Sequence, residues 1–335
     1  MNVFEIMIEL AACTQPSLGA MPQAELLRRL AKPYVDEIIL DATGNLICRK
    51  KGPGRRLMLS ASMDVAGFIA RYIDKRGFIR FMPSGGFAPA YLPGTPLRFE
   101  QGAAGCILPS DQMDMEQPFS AAEYHELYID IGAKDEQEAA KLVTVGEIAV
   151  FAAPPAPALN NSVIAPNAGG FAACIALLLA LEALAEQHSA NDLYVVFTSW
   201  EEWGLPGAKG AARQIQPEMS LAVERAVAKN TPGETIKLGA KPGQGPVIRS
   251  QDNAHLCSPA AVRFLRQAAE GLAYQDEVAT SGAAGSAHIQ QQGGGVLASV
   301  LGIPCRNPLT QGEIISLTDV ELAGRVLARA ACQEL

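Results

Sequence analysis

The sequence predicts an α/β fold: a mostly parallel sheet flanked by helices, with a small β-rich domain inserted into it. Two observations carry this expectation. Over residues 1–66 and again over 155–335, apolar strand-like runs alternate with helical segments, which implies a mostly parallel sheet with helices on both faces. Over 67–154 the texture changes, and short β-like runs alternate with Gly and Pro turns. The flanking stretches therefore read as one discontinuous α/β domain, and 67–154 as the insertion.

Taken in order, residues 2–13 and 21–31 read as helices. Apolar strands follow at 36–40, 45–49 and 57–61, with a turn at Ala42-Thr-Gly-Asn45. The insertion offers β-like runs at 68–73, 78–82, 128–131 and 146–151, and one short helix near 134–142. The run Ala-Ala-Pro-Pro-Ala-Pro-Ala at 152–158 reads as a semi-rigid return linker. Helix 168–187 opens on Ala-Gly-Gly and is almost entirely small or aliphatic, so it should be buried on most faces. Strand 193–198, helix 205–215, strand 219–224, helix 259–273 and helix 318–333 complete the alternation. There is no internal repeat.

The 335 residues suffice for one large domain or two, each with its own core. A net charge of −8 argues against nucleic acid or an anionic membrane as partner. No apolar run reaches the roughly 18–20 residues of a spanning helix. The first residues carry Glu5 and Glu9 inside an apolar stretch and read as an amphipathic helix, not a signal peptide. Seven scattered cysteines without a CxxC pair suit reduced thiols and a cytoplasmic location.

Chemistry concentrates at 199–208, Ser-Trp-Glu-Glu-Trp-Gly-Leu-Pro-Gly-Ala. Glu201 and Glu202 follow strand 193–198, and active sites in such folds lie beyond the C-terminal ends of strands. A Glu pair in this setting suits metal-assisted hydrolysis, one carboxylate polarising water and the other holding the ion. Trp200 and Trp203 flank the pair. They either pack, or fill the space where metals and substrate would sit, and apolar neighbours raise carboxylate pKa values.

Five segments now point one way: Asp41-Ala-Thr-Gly-Asn-Leu-Ile, Leu57-Met-Leu-Ser-Ala-Ser-Met-Asp-Val-Ala-Gly-Phe, Tyr128-Ile-Asp-Ile-Gly-Ala, Trp200-Glu-Glu-Trp-Gly-Leu-Pro-Gly-Ala and Leu301-Gly-Ile-Pro-Cys-Arg. In this order and spacing the chain resembles the glutamyl (deblocking) aminopeptidases of metallopeptidase family 42, whose members also carry the label endoglucanase. The resemblance implies a zinc-aminopeptidase-like α/β domain with a di-metal site. It also implies an inserted β domain that mediates dimerisation, often within tetrahedral dodecamers, and short peptide substrates trimmed from the N-terminus.

The metal ligands of that family are a His two residues before an Asp, an Asp opening an Asp-Asp-Arg-x-Gly turn, the second Glu of the pair, a later Asp, and a His near the C-terminus. Carried over by the resemblance, the first His falls on Ser62, with its partner Asp64 kept either to orient a ligand or to bond a turn. The bridging Asp falls on Pro166, with Asn167 beside it either as a turn or N-cap residue or shifted into the ligand place, where a neutral amide makes a poor bridge between two cations. Glu201 takes the general-base position and Glu202 a ligand position. The later Asp falls on Glu224, whose neighbour Arg225 should point to the opposite face of its strand. The C-terminal His falls on Leu309, and the Asp of a Ser-Gly-Gly-Thr-Asp-Ala loop falls on Gly285. None of the four histidines matches a ligand position, and His288 comes nearest to a functional loop.

Serine, proline and leucine cannot replace imidazole and aspartate around two zinc ions. Glu202 and Glu224 would keep at most one hard cation, with water filling its shell. The expectation is an inactive or strongly impaired family member without a bound cofactor, acting as a structural, regulatory or peptide-binding subunit. It would bind short peptides or a small molecule, and form a homo-oligomer (dimer or larger) or pair with an active relative. The alternative is an active metal-dependent aminopeptidase using one or two Zn, Co or Mn ions, with Glu202, Glu224 and His288 in a rearranged site. A nucleophile at Ser62 or Cys305 lacks a histidine at any recognisable spacing. Endoglucanase chemistry needs two carboxylates across a sugar cleft, whereas Glu201 and Glu202 should point apart.

Overall fold

The computed structural model describes residues 1–13, 21–110, 123–228, 230–232, 239–280 and 285–335, without the side chain of Trp203. An eleven-stranded sheet forms the body. Its order is Glu37–Leu40, Leu46–Lys50, Asp192–Thr198, Arg56–Ser62, Met219–Val227, Leu297–Arg306, Glu313–Ser316, Ser162–Ala165, Ala156–Ala158. Val247–Gln251 branches off beside Leu297–Arg306 and pairs in turn with Gln275–Val278. The four central strands are parallel, as expected of strands separated by helical crossovers. The wings are antiparallel.

Strand periodicity sorts the core into two layers. Leu57, Leu59, Leu193, Val195 and Phe197 face the helices Val3–Ala12, Ala168–Ala183, Pro259–Ala268 and Leu317–Cys332. Met58 and Val196 face the helix Pro206–Ile215, which supplies Ala208, Ala211 and Ile215. Ala168–Ala183 is buried nearly all round, as its small and aliphatic composition predicts, though it ends four residues earlier than the sequence suggests, since Leu184 already caps it.

The insertion closes into a six-stranded barrel: Gly67–Ile73, Ile79–Ser84, Leu127–Asp130, Ala104–Pro109, Pro96–Phe99, Ile148–Phe151. Closure removes exposed sheet edges. The barrel has its own core, where Phe68 stacks on Phe87 at 4.7 Å between ring centroids and meets Phe81 edge-on at 5.4 Å. Pro96–Phe99 and Ala104–Pro109 had no counterpart in the sequence reading, because a leading proline and weak alternation hide them. The expected linker 152–158 ends instead as an edge strand, Ala156–Ala158, where Pro157 sits at the one place a sheet tolerates a missing N–H. Among the described residues no helix is long and apolar enough to cross a membrane.

One polar brace ties the first wing to the turn that carries the Glu pair. Asn45 is fully buried. Its Oδ1 accepts from Ser199 N–H at 2.9 Å, and its Nδ2 donates to Asp41 Oδ2 at 2.7 Å and to the Gly207 carbonyl at 3.0 Å. The backbones meet so closely that a Cβ on Gly207 would lie 1.8 Å from the Ser199 carbonyl oxygen. The segment 41–47 thus positions Ser199 and Gly207 on either side of the site. Asn45→Ala leaves the Ser199 N–H without its partner in a dry place, at a cost of about 1–3 kcal/mol. Equilibrium urea unfolding should show a lower midpoint with an unchanged slope, and an unchanged midpoint would refute the brace.

Candidate active-site cleft

A cleft of about 980 Å³ opens at the C-terminal ends of the parallel strands. Ser62 and Asp64 enter it from Arg56–Ser62 and the loop beyond, Glu201 and Glu202 from the turn after Asp192–Thr198, and Glu224 from Met219–Val227. The barrel supplies the facing wall through Pro83, Ser84, Gly85 and Gly86.

Glu201 and Glu202 open a short 3-10 turn, Glu201–Trp203, entered through a left-handed Trp200 (φ 62) and left through Gly204 (φ 84). The Glu201 N–H donates to Asp64 Oδ2 at 2.9 Å, so Asp64 bonds the turn. The Glu201 carboxyl accepts from Ala208 N–H at 2.9 Å, at the start of Pro206–Ile215. Burial pushes its pKa up to about 8, helped by the charges of Asp64 and Glu224 and opposed by the Ala208 N–H. At neutral pH it therefore holds its proton. Glu202 leans the other way: a Cβ on Gly85 would lie 3.1 Å from its Oε2, so the barrel wall leaves room for this carboxylate. Burial raises its pKa too, against the pull of Arg225. The two carboxylates diverge as adjacent residues should, yet both line one cleft.

Glu224 and Arg225 leave their strand towards opposite sides, and because they sit near its end both reach the cleft. Arg225 packs its stem on Gly169, where a Cβ would lie 2.1 Å from its Cγ, and its Nη1 meets Glu313 Oε1 at 2.6 Å. Glu313 is fully buried and also accepts from Gly169 N–H at 2.9 Å and Leu309 N–H at 2.8 Å. Glu224 faces Arg249, which is only 2% exposed. The Arg249 guanidinium lies 3.0 Å from Glu277, 3.3 Å from Asp252 and 3.7 Å from Glu224. Burial raises the pKa of Glu224 to about 7, with Arg249 opposing and Asp252 reinforcing the rise. Arg249 and Glu313 were not candidates in the sequence; the available signal was a charged residue in an apolar strand, as in Val247-Ile-Arg249 and Glu313-Ile-Ile.

The remaining sequence candidates fall as follows. Ser62 lines the cleft, and its Oγ accepts from Asp64 N–H at 3.2 Å. Pro166 is buried and not on the cleft surface. Asn167 occupies the N-cap position of Ala168–Ala183 in a left-handed conformation (φ 54), but its side chain makes no cap bond. Leu309 (φ 60) reaches the cleft and packs on the barrel core. His288, on Gly285–Gln290, also lines the cleft, its pKa lowered by burial and by Lys209. Trp200 does not plug the site: it is 40% exposed and outside the cleft lining. Cys305 is buried, which raises its pKa well above the usual thiol value and leaves it inert as a nucleophile. Of the loop that begins at Ser281, residues 281–284 lie outside the described residues.

The profile of the M42 glutamyl aminopeptidase family matches residues 44–326 of the chain. A putative aminopeptidase of Acetivibrio thermocellus is 33% identical over 304 residues, covering 90% of each chain. An aminopeptidase from the archaeon Desulfurococcus kamchatkensis superposes with a TM-score of 0.92 at 29% identity, over 98% of this chain and 93% of the other. The TET1 peptidase of Pyrococcus horikoshii, which can assemble into a tetrahedron or a large octahedral shell, superposes with a TM-score of 0.88 at 26% identity, over 98% and 99% of the two chains.

The raised pKa of Glu201 has a sign that unfolding can read. Below the ordinary carboxyl value of 4.5 both the folded and unfolded states hold the proton; above about 8 neither does. Between these limits the folded state keeps a proton that the unfolded chain has released, so stability falls as pH rises. Denaturant unfolding between pH 5 and pH 8 should show this fall in the wild type and a shallower one in Glu201→Gln, Glu224 contributing part of what remains. Parallel curves for the two proteins would contradict the assignment.

Proposed function

Because the chain belongs to the M42 glutamyl aminopeptidase family, we propose that it is a non-hydrolytic member, a self-assembling subunit whose cleft binds short peptides without cleaving them. The observation that carries this reading is the donor set of the cleft. The resemblance calls for two divalent ions, of the Zn, Co or Mn kind, on His, Asp and Glu side chains. Three of those positions hold Ser62, Pro166 and Leu309. Among the described residues no group of three or more His, Cys, Asp or Glu side chains is arranged to hold an ion. The Arg249 guanidinium stands 3.7 Å from Glu224, and Arg225, paired with Glu313, shares the cleft with Glu202. These residues do not fit a di-metal centre.

The chemical consequence is large. A zinc-type ion lowers the pKa of bound water from about 15.7 to about 7. A positioned Glu alone contributes about 10²–10⁴-fold. Glu201 is at the family's general-base position, and here it carries its own proton near neutrality. What the cleft retains is recognition. Asp64, Glu202 and Glu224 line it, while Arg225 and Arg249 are also engaged by Glu313, Asp252 and Glu277, so carboxylates outnumber guanidinium groups and favour a cationic amine such as a peptide N-terminus. The barrel and the likeness to an assembling peptidase support a homo-oligomer, and the same surfaces would admit an active relative.

A second reading has one observation in its favour. His288 shares the cleft with Glu201 and Glu224, and could join a single ion there in a rearranged, active site. Against it stands Arg249, 3.7 Å from Glu224.

Two measurements decide between them. A panel of aminoacyl and short-peptide substrates, assayed with Zn, Co or Mn added singly, should show no metal-dependent turnover. Calorimetric titration with a non-acidic tripeptide should show binding that Glu202→Gln weakens about tenfold or more, as loss of a charge-assisted contact of roughly 1.5–3 kcal/mol requires. Strong metal-dependent cleavage would install the second reading, and absence of peptide binding would remove the recognition role.

A further inference from the structure

We infer that Arg225 and Arg249 are built-in counter-cations that neutralise the acidic cleft in place of divalent ions, one on each side of the strand Met219–Val227. The inference rests on the family reading only for where an ion would sit. The two groups serve different carboxylates. Arg225 serves Glu313 directly, at 2.6 Å, and its charge acts on Glu202. Arg249 serves Asp252, Glu277 and Glu224.

Both arginines are fixed. Glu313 is held on both oxygens by the N–H groups of Gly169 and Leu309, so it anchors Arg225 and cannot swing towards an ion. Gly169 supplies the space in which the Arg225 stem lies. Arg249 is enclosed among three carboxylates, and its Nη2 reaches the Arg225 carbonyl at 3.4 Å. An ion on Glu224 would sit about 2.0–2.2 Å from the carboxylate oxygen, with the guanidinium as its near neighbour. A lysine or histidine could shed a proton to admit the ion. A guanidinium cannot, since its pKa lies above about 12. The fixed positive charge therefore stabilises the carboxylates and repels a second cation.

The test uses the full-length protein in its native assembly. After dialysis against chelator, Zn²⁺, Co²⁺ and Mn²⁺ are titrated singly by equilibrium dialysis, with the thermal midpoint read in parallel. The wild type should show no saturable uptake dependent on Glu202 or Glu224, and the same midpoint with and without ion. Arg225→Met and Arg249→Met should each gain saturable uptake and an ion-dependent rise in midpoint that chelator reverses. Arg225→Lys and Arg249→Lys, which keep a cation in place, should show less gain than the methionine variants. Saturable uptake by the wild type that Glu202→Gln or Glu224→Gln abolishes would overturn the inference, as would folded methionine variants with no gain. If the methionine variants do not fold, Arg225→Lys and Arg249→Lys decide: uptake above the wild type supports the inference, and uptake equal to it overturns the inference. Turnover by ion-free protein would remove the non-hydrolytic reading and leave this one standing.

Discussion

Carboxylates crowded into a low-dielectric cleft must be neutralised, and most of the local architecture answers that demand. Two unit charges 4 Å apart interact by about 4 kcal/mol at an effective dielectric of 20. Retaining a proton above a group's normal pKa costs about 1.4 kcal/mol per pH unit. The two remedies are therefore comparable, and the site uses both. Glu313, beside Arg225 and two N–H groups, has dedicated positive partners. Glu224 shares Arg249 with Asp252 and Glu277, and its pKa rises to about 7. Glu201 has no arginine at hand, and its pKa rises further, to about 8.

The scaffold that brings these groups together is assembled from turns that bulky side chains rarely accept. Trp200, Leu205, Asn307 and Leu309 adopt positive φ beyond the ends of central strands, and Asn167 does so beyond the wing strand Ser162–Ala165. Such conformations persist only where the surroundings over-determine them. Here the surroundings can be named: Asn45 bonds Ser199 and Gly207 on both sides of the Glu pair, Asp64 holds the Glu201 N–H, and Glu313 holds the Leu309 N–H. The motif at 41–47 is thus structural support for the turn at 199–208, which accounts for both standing out in one sequence.

The fold was legible where periodicity is strong. Most helices and three of the four central strands of the α/β body announce themselves by apolar spacing, and the insertion by a change of texture, whereas Leu297–Arg306 was read only as a motif at 301–306. The barrel strands Pro96–Phe99 and Ala104–Pro109 were hidden because a barrel of short strands buries few alternating residues per strand. The Glu pair was legible from its place after a strand. Its electrostatic partners were not, because Arg249 and Glu313 belong to strands far away in sequence that only the sheet order brings alongside. Adjacency also misled: Arg225 does leave its strand opposite Glu224, but at a strand end both directions lead into the cleft.

On the proposed reading, restoring the missing ligands would not by itself rebuild a metal site. A histidine at position 62 would enter the cleft, since Ser62 already lines it. One at position 309 would inherit a left-handed backbone whose N–H is tied to Glu313, and a side-chain direction that now packs on the barrel core. An aspartate at position 166 would replace a buried proline outside the cleft lining. Meanwhile Arg225 and Arg249 would still hold the positive charge that an ion is meant to bring. Removing the arginines alone would instead leave buried carboxylates unpaired, which costs more than losing a whole pair. Ligands and counter-cations are therefore coupled through one charge balance: removing an arginine admits an ion to the remaining carboxylates, but a full di-metal centre needs both sets of residues to change.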